Sequence, residues 1–260
     1  MLRSKTLFLG LALAATAVLT ACGGGDDGID DRIGLSKPSV RVIHAVTGGP
    51  NVDVLQNGAL TSMVNKPYKF VSTYFNVETG NQLISFNAAG TQTELARSSL
   101  VAATGHKYTV VAVPGAATAE TVTIDDPFGK GLLSNKARVR SLNASFNAQN
   151  IDIYVTLPAI DLNSVAPTFA AVGYKQASPA SGQDSIDLDG NTTYRLRITP
   201  AGTKTVIFDS GALTLANNAD WLITTIPSDG IAGLTPNKIK VLVARGDDES
   251  QAGLELVTTQ

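Results

Sequence analysis

Hydrophobic and polar residues alternate along most of the chain with a period of two. In "TTYRLRIT", Tyr194, Leu196 and Ile198 fall on one face of an extended segment, and Arg195 and Arg197 fall on the other. Gly, Pro and Asn interrupt such runs at short intervals, as in "TGGPN", "ETGN" and "TPAGT". Short alternating segments between turn residues predict an all-β fold built as an antiparallel sandwich, with a small barrel as the alternative.

The alternation predicts about seven strands in the first half of the chain. Seven strands are typical of immunoglobulin-like and fibronectin-type sandwiches. The expected strands are Val40–Val46, Asn51–Gln56, Phe70–Val77, Asn81–Asn87, Thr93–Ser98, His106–Val113 and Thr121–Asp125.

The chain also repeats itself. The segment "VRVIHAVTGGPNVDVL" at 40–55 aligns without a gap with "VRSLNASFNAQNIDIY" at 139–154. Two later pairs follow in the same order: "AAGTQT" with "PAGTKT", and "YTVVAVPG" with "WLITTIPS". Repetition over roughly a hundred residues predicts two tandem copies of one domain. We expect them at residues 39–130 and 137–250, with residues 251–260 as a C-terminal tail.

The N-terminus has the pattern of an export signal. Arg3 and Lys5 precede an apolar run of 13 residues, Leu7–Leu19, which is too short to cross a bilayer and suits a signal peptide. "LTAC" then resembles the bacterial lipobox, which implies cleavage before Cys22 and acylation of that cysteine. We therefore expect residues 1–21 to be a lipoprotein signal peptide; an ordinary secretory signal is the alternative. Two or more acyl chains would hold the protein firmly on a membrane.

Residues 22–38 are expected to form a lipidated cysteine and a flexible linker. Gly23, Gly25 and Gly28 spell G-x-G-x-x-G, the glycine pattern of dinucleotide-binding turns. That pattern binds a cofactor only between a strand and a helix, whereas here it follows a signal peptide and is rich in aspartate. Because Gly23 follows Cys22, resemblance to enterobacterial sorting favours the outer membrane. No cofactor is expected.

Composition narrows the function classes. Cys22 is the only cysteine, so an intramolecular disulfide and a cysteine metal cluster are excluded. The formal net charge is −2 and basic residues do not cluster, which argues against a nucleic-acid partner. No H-E-x-x-H, G-x-S-x-G or phosphate-binding loop occurs. The sequence thus predicts no catalytic residue and no metal site.

Part of the repeat resembles a known family. "RVIHAVTGGPNVDVLQNG" is similar to the opening of the bacterial domain-of-unknown-function family 4397, in which Arg-x-x-His-Ala leads through a Pro-containing turn to Val-Asp-Val. "PAGTKTVIF" and "ALTLANNADWLIT" resemble later parts of that family. In the second copy Asn143 replaces the His, and Asp220 and Trp221 stand near the usual Gly and Tyr. The resemblance implies an exported β-rich module and implies no activity.

Two pairs of repeated positions are candidate structural residues. His44 and Asn143 lie at equivalent strand ends, and both side chains can bond to loop backbone, so we expect them to brace turns. Arg41 and Asp53 recur as Arg140 and Asp152.

Charges between strand valines usually mark a solvated face, so each repeated Arg and Asp is expected to form a cross-strand ion pair there. Two like binding sites, one in each copy, are the alternative interpretation of these residues.

The remaining candidates have simpler structural explanations. "DSIDLDGN" at 184–191 superficially resembles an EF-hand loop, but its Gly comes too early and no Glu closes it, so a turn is expected. "GDDES" at 246–250 is expected to be a solvated loop. Tyr108 and Trp221 align and are expected in the core, whereas an exposed Trp221 would favour sugar stacking.

Together these patterns predict a lipid-anchored, exported protein that is not an enzyme. The expected role is an envelope interaction or structural module, bound to a membrane through Cys22 and partnered by an envelope protein or a polysaccharide. Carbohydrate or cell-wall binding through loops is one alternative. A hydrolase of envelope polymers is the other, and clustered carboxylates in a cleft would favour it.

Overall fold

A computed structural model describes residues 34–129 and 135–259, and within these ranges the protein is an all-β sandwich fold. The predicted fold class is therefore confirmed. The predicted signal peptide, Cys22 and most of the predicted linker lie outside the described residues. Among the described residues, no helix is long and apolar enough to cross a membrane.

The first half of the chain, called repeat one here, contains eight strands. Two of them, β3 and β4, are only two residues long. The strands are β1 Ser39–His44, β2 Val52–Gln56, β3 Ala59–Leu60, β4 Phe75–Asn76, β5 Gly80–Ala88, β6 Glu94–Ala102, β7 Lys107–Pro114 and β8 Ala119–Asp126.

The second half, called repeat two, contains ten strands and three short 3-10 helices. The strands are β9 Lys136–Asn143, β10 Asn150–Thr156, β11 Phe169–Gly173, β12 Ala177–Ser178, β13 Ile186–Asp189, β14 Thr192–Pro200, β15 Phe208–Leu215, β16 Asp220–Pro227, β17 Ile239–Arg245 and β18 Gly253–Leu256. The 3-10 helices are Leu162–Ser164, Gly230–Leu234 and Glu249–Gln251.

The strand order of repeat two matches that of repeat one. Each repeat has an outer sheet, β3-β2-β5-β6 in repeat one and β11-β10-β14-β15 in repeat two. Each also has an inner sheet, in which the first strand pairs parallel to a late strand, β1 with β7 and β9 with β16. Val40 lies opposite Tyr108 and Val139 lies opposite Trp221, as the sequence alignment implies.

The two inner sheets pack against each other, so the molecule has four layers. One face of β1 carries Val40 and Val42 into the core of repeat one, while Ile43 faces the other way. Ile43 belongs to a third apolar cluster that also contains Leu142 from β9 and Leu222 from β16. We call this contact between the inner sheets the junction. Apolar burial at the junction makes it a continuous hydrophobic interface.

Two expectations about elements are wrong. The predicted strand Phe70–Val77 is mostly irregular, because the Ser72 hydroxyl replaces a backbone carbonyl and accepts the Val42 N–H at 2.9 Å. The predicted tail 251–260 contains β18, which pairs antiparallel with β17 and extends the inner sheet of repeat two.

The end of the predicted linker is ordered in part. The Ser36 carbonyl accepts the Gly105 N–H at 2.9 Å, which fixes this segment beside the turn between β6 and β7.

Candidate functional site

The repeated Arg and Asp residues do not form the predicted ion pairs. Arg41 and Arg140 lie on inner sheets and face the junction, whereas Asp53 and Asp152 lie on outer sheets. Arg41 donates to Thr109 Oγ1 at 2.9 Å and to the Ala244 carbonyl at 3.2 Å. The prediction failed because the face expected to be solvated is covered by the other repeat.

Arg140 is likewise buried, and its guanidinium is held mainly by backbone carbonyls. Its Nη1 donates to the carbonyls of Pro179 at 2.6 Å and Ala180 at 2.9 Å, and its Nη2 donates to that of Gln183. The carbonyls belong to a loop of repeat two that repeat one lacks. The two equivalent arginines therefore have different partners, which argues against two like binding sites.

Asp53 and Asp152 instead tie loops together in the same way in both repeats. Asp53 accepts the N–H groups of Asn65 at 2.7 Å and Gly90 at 2.8 Å. Asp152 accepts those of Ala171 at 2.7 Å and Gly202 at 2.9 Å. The backbone bonds lower the pKa of Asp53, since they stabilise its carboxylate. These aspartates are structural residues of each outer sheet.

Replacing Asp152 with alanine is expected to destabilise the protein by about 1–3 kcal/mol, because two loop N–H groups lose their acceptor. Urea unfolding monitored by circular dichroism measures the change. Asp187→Ala, at an exposed position in β13, is the matched control and should have little effect. Equal losses in the two variants would contradict the assigned role.

His44 and Asn143 make equivalent bonds within the first turn of each repeat. The Val46 N–H donates to His44 Nδ1 at 3.4 Å, and His44 Nε2 lies 3.0 Å from the Pro50 carbonyl. Both side chains are fully buried. Their contacts are those of turn-bracing residues.

Asn143 makes the same pattern with shorter bonds. The Ser145 N–H donates to Asn143 Oδ1 at 3.0 Å, and its Nδ2 donates to the carbonyls of Ala148 at 2.7 Å and Val172 at 3.1 Å. A carboxamide and a neutral imidazole can thus both brace the turn, since each presents a donor nitrogen and an acceptor atom, and the carboxamide has a second N–H that also reaches the Val172 carbonyl.

Acid should weaken the His44 turn. Burial lowers the pKa of His44, and the bond to the Pro50 carbonyl offsets this only in part. The unfolded chain therefore binds a proton more readily, so the neutral imidazole's contribution to stability is lost as the pH falls from about 6.5 through the lowered pKa. We expect His44→Asn to flatten the decline in unfolding free energy between pH 7.5 and 5.5. Parallel curves for both proteins would contradict this.

A buried ionic cluster crosses the junction around Arg138. Arg138 Nη2 lies 2.8 Å from Asp126 Oδ1 of repeat one and 2.5 Å from Asp184 Oδ1, and Nη1 lies 3.5 Å from Asp220 Oδ1. The Arg138 side chain is only 2% exposed. Burial by itself would raise the pKa of Asp126, but Arg138 and Arg140 outweigh it and hold the pKa below its ordinary value. Arg138 and Arg140 thus compensate much of the acidic charge of Asp126, Asp184 and Asp220 within the protein.

Two tyrosines and two lysines connect the repeats reciprocally. Tyr68 of repeat one donates to the Pro227 carbonyl at 3.5 Å, and Tyr174 of repeat two donates to the Pro114 carbonyl at 2.5 Å. Lys69 Nζ lies 2.8 Å from Asp229 Oδ1, and Lys175 Nζ lies 2.6 Å from Glu120 Oε2. Burial raises the pKa of Tyr68 and of Tyr174 to about 12, so both remain hydroxyl donors.

These contacts resemble those of a two-fold dimer, in which residue i contacts residue j and residue j contacts residue i. These contacts were not predicted from the sequence. The Tyr-Lys dipeptide, which occurs at 68–69 and again at 174–175, is the repeated pattern that could have indicated them.

The other sequence candidates are structural. Tyr108 and Trp221 belong to the cores of repeats one and two, so the sugar-stacking condition is not met. In "DSIDLDGN", Asp184 pairs with Arg138 and Asp189 pairs with Lys136.

In "GDDES", which was expected to be a solvated loop, Asp248 caps the 3-10 helix Glu249–Gln251.

Within the described ranges, no group of three His, Cys, Asp or Glu residues is arranged to hold a metal ion.

His106 is the second histidine and has an acidic partner. Its Nδ1 lies 2.7 Å from Asp125 Oδ1, and its ring stacks on Tyr108. The Ser181 hydroxyl is directed elsewhere, since it accepts the Asp125 backbone N–H at 2.9 Å. A His–Asp pair without a nucleophile in contact provides no catalytic triad.

A groove opens beside the junction, between the edges of the two sheets of repeat one, and we call it the junction groove. Its volume is about 630 Å³. One wall comes from repeat two, through Glu249, Ser250 and Ala252. The apolar lining from repeat one consists of Ala59, Leu60, Met63, Phe70, Val71 and Phe75.

Most polar groups of the junction groove already have partners. The Thr61 hydroxyl donates to the Val54 carbonyl at 2.8 Å, Ser72 Oγ to the Thr73 carbonyl at 2.7 Å, and Ser250 Oγ to Asp248 at 2.6 Å. The groove therefore offers a ligand an apolar lining in which three of the polar side chains already have partners.

A known family model matches the part of the chain that contains repeat one. Residues 38–154 match the family model of the Domain of unknown function DUF4397. The DUF4397 match spans all of repeat one and continues through most of β10, so it includes His44, Asp53, Asn143 and Asp152. No curated protein matches the chain. The similarity of the remainder of repeat two to repeat one rests on its strand order.

Proposed function

We propose that this protein is an exported, lipid-anchored and non-catalytic interaction module of the bacterial cell envelope, which holds its partner in the junction groove. The groove is the observation that carries the proposal. It combines an apolar lining with walls from both repeats, and concave apolar surface at a domain interface is where ligands usually bind.

The position of the N-terminal segment supports a tethered module. Pro38 accepts the Val77 N–H at 2.9 Å, and Ser36 lies beside Gly105. The chain therefore enters repeat one near Phe75, which lines the groove. If the residues between Cys22 and the ordered Ser36 form the flexible coil that the sequence predicts, a coil of about 13 residues would span about 18–22 Å, so the groove would work close to the membrane surface.

Replacing Cys22 with alanine is expected to abolish membrane association, because acylation would be lost. Fractionation and metabolic labelling with a fatty acid measure this. The wild-type protein should be labelled and membrane-bound, and Cys22→Ala should be neither. An unlabelled wild-type protein would instead support the ordinary secretory signal.

The groove can be tested by placing a photoreactive amino acid at Ser62 in living cells. The matched control is the same replacement at Thr193, an exposed position in β14 of repeat two. We expect one discrete adduct from Ser62, absent from Thr193 and lost when Phe70 is replaced by aspartate. An identical set of adducts from both positions would overturn the groove assignment.

Carbohydrate binding is the second candidate, because Phe70 and Phe75 are half-buried aromatic rings in the groove. Sedimentation with purified cell-wall sacculi distinguishes it. Co-sedimentation that Phe70→Ala abolishes would favour the polysaccharide over a protein partner.

The hydrolase alternative would be favoured by clustered carboxylates in a cleft. Among the described residues, the carboxylates of Asp126, Asp184 and Asp220 cluster around Arg138 at the junction and not in a cleft.

A further inference from the structure

Each outer sheet has one face against the core of its repeat and a second face, called the outward face, on the other side. The outward faces of the two repeats are formed by equivalent strands, but the outward face of repeat two is more buried at Tyr154 than that of repeat one at Leu55. In repeat two, Ile153 and Val155 belong to the core, so Tyr154 between them points outward. Tyr154 is nevertheless only 1% exposed. The equivalent residue of repeat one is Leu55, which is half-buried. Something therefore covers this face in repeat two and leaves it open in repeat one.

The cover in repeat two is its own segment 157–168, between β10 and β11. Arg197 Nη2, on the outward face, donates to the Ile160 carbonyl at 2.8 Å. Lys204 Nζ donates to the Val165 carbonyl at 2.9 Å and to the Tyr154 hydroxyl at 3.0 Å. Leu162 lies between these two carbonyls in sequence and is only 5% exposed. Two backbone carbonyls and one leucine thus attach the segment.

Repeat one has a much shorter connection at this place and a hollow instead of a cover. Only residues 57–62 connect β2 to Met63, which bonds to Val54 in the outer sheet. The hollow has a volume of about 470 Å³. Leu55 and Leu60 lie opposite each other on paired strands within it, and Leu60 is 59% exposed. Leu55 and Leu60 therefore form an apolar patch within the hollow.

The polar groups of the hollow suit a neutral ligand. Asn87 is 6% exposed and lines the hollow, and its Oδ1 has no hydrogen-bond partner among the described residues. At the equivalent position in repeat two, the Thr199 hydroxyl is satisfied by the Thr203 carbonyl at 3.0 Å. Both oxygens of Asp53 already accept loop N–H groups, so this carboxylate needs no cation.

In the hollow of repeat one, Gln92 occupies the position equivalent to Lys204, the lysine that bonds segment 157–168 in repeat two. Gln92 of "AAGTQT" aligns with Lys204 of "PAGTKT" and lines the hollow. A carboxamide can donate to a peptide carbonyl as Lys204 does, and it can also accept a peptide N–H. The described lining contains no aromatic ring on which a sugar could stack.

We propose that this hollow binds a peptide segment of a partner protein, with a leucine-type side chain seated against Leu55 and Leu60. The segment docks as residues 157–168 do on repeat two, with Gln92 and Asn87 bonding its backbone. This site lies on the opposite side of the outer sheet from the core and does not require the lipid anchor. It shares Leu60 with the junction groove, whereas Asn87 lines the hollow and is not among the residues that line the groove, so Asn87→Thr tests the hollow separately.

The test uses a fluorescent peptide with the sequence of residues 157–168, LPAIDLNSVAPT, and the full mature protein in detergent. Fluorescence anisotropy should show saturable binding. Leu60→Glu should weaken binding at least tenfold, because it places a charge on the apolar patch. Val101→Glu is the matched control, since Val101 is 70% exposed on β6 of the same sheet, and it should change affinity less than twofold.

A second peptide, in which the leucine at position 162 is aspartate, checks the anchor and should bind at least tenfold more weakly. Asn87→Thr should weaken binding several-fold while leaving the melting temperature nearly unchanged. The proposal is overturned if the first peptide does not bind, or if both peptides bind equally. It is also overturned if Leu60→Glu and Val101→Glu behave alike. Displacement of the bound peptide by soluble cell-wall oligosaccharide would assign the hollow to a glycan instead.

Discussion

Replacing Arg138 with methionine is expected to destabilise the protein by about 3–5 kcal/mol, which is the usual cost of leaving buried charges without their partner. Asp126 and Asp220 would stay buried at the junction without the guanidinium that now pairs with both. Methionine fills most of the arginine stem volume, so the loss reports charge rather than packing. Chemical unfolding at pH 7 measures the change.

The control is Arg97→Met. Arg97 forms a surface ion pair with Glu94 at 3.5 Å, and its side chain is 66% exposed. Exposed pairs of this kind contribute about 0.2–1 kcal/mol. Similar losses in both variants would show that the junction cluster has no special role.

The loss of stability in Arg138→Met, relative to the wild-type protein, should become smaller as the pH falls. In the wild-type protein Arg138 and Arg140 hold the pKa of Asp126 below its ordinary value, so acid removes stability as this carboxylate is protonated. Without Arg138 the pKa of Asp126 would rise relative to that of the wild-type protein, with Arg140 still lowering it in part, so acid would cost the variant less stability than it costs the wild-type protein. A destabilisation that is unchanged between pH 7 and pH 5 would point to lost packing instead.

Replacing Asn143 with alanine is expected to destabilise the protein by about 3 kcal/mol or more. Asn143 is fully buried, and its loss would leave the Ser145 N–H and the carbonyls of Ala148 and Val172 without this partner. Each buried backbone group left unsatisfied costs about 1–3 kcal/mol. Unfolding in urea measures the change.

Asn81→Ala is the matched control, since Asn81 is exposed on β5, and it should change stability little. His44→Asn tests the equivalence of the two turns. If Asn can brace the first turn as it braces the second, this variant should lose far less than His44→Ala at pH 7. Equal losses would show that the two turns need different side chains.

The sequence predicted strands well where apolar and polar residues alternate and a turn residue ends the alternation. The first two strands of repeat one are close to their expected positions, because the alternation of valines and polar residues fixes which face each residue occupies. The turn contacts of His44 and Asn143 can be anticipated in part from the sequence, because the Val46 and Ser145 N–H groups lie only two residues away. The gapless alignment at 40–55 and 139–154 also anticipated the matching strand registers, since equal spacing gives equal pairing.

The failures came from contacts between distant segments. Arg41 and Arg140 alternate with valines as residues on a solvated face do, and nothing local distinguishes a face covered by another domain from one covered by water. The ionic cluster joins Asp126, Arg138, Asp184 and Asp220, which are spread over almost a hundred residues. Charged residues of both signs are common on surfaces, so their convergence has no signature in the sequence.

The sequence by itself determined the all-β class, because the alternation of apolar and polar residues depends only on spacing along one chain. Only the tertiary structure decided that the two inner sheets face each other, that repeat two covers its own outer face, and that repeat one leaves a groove and a hollow open. These features depend on which surfaces lose contact with water. That outcome is a property of packing between segments, and the alternation of a strand is the same whether solvent or another sheet lies against its second face.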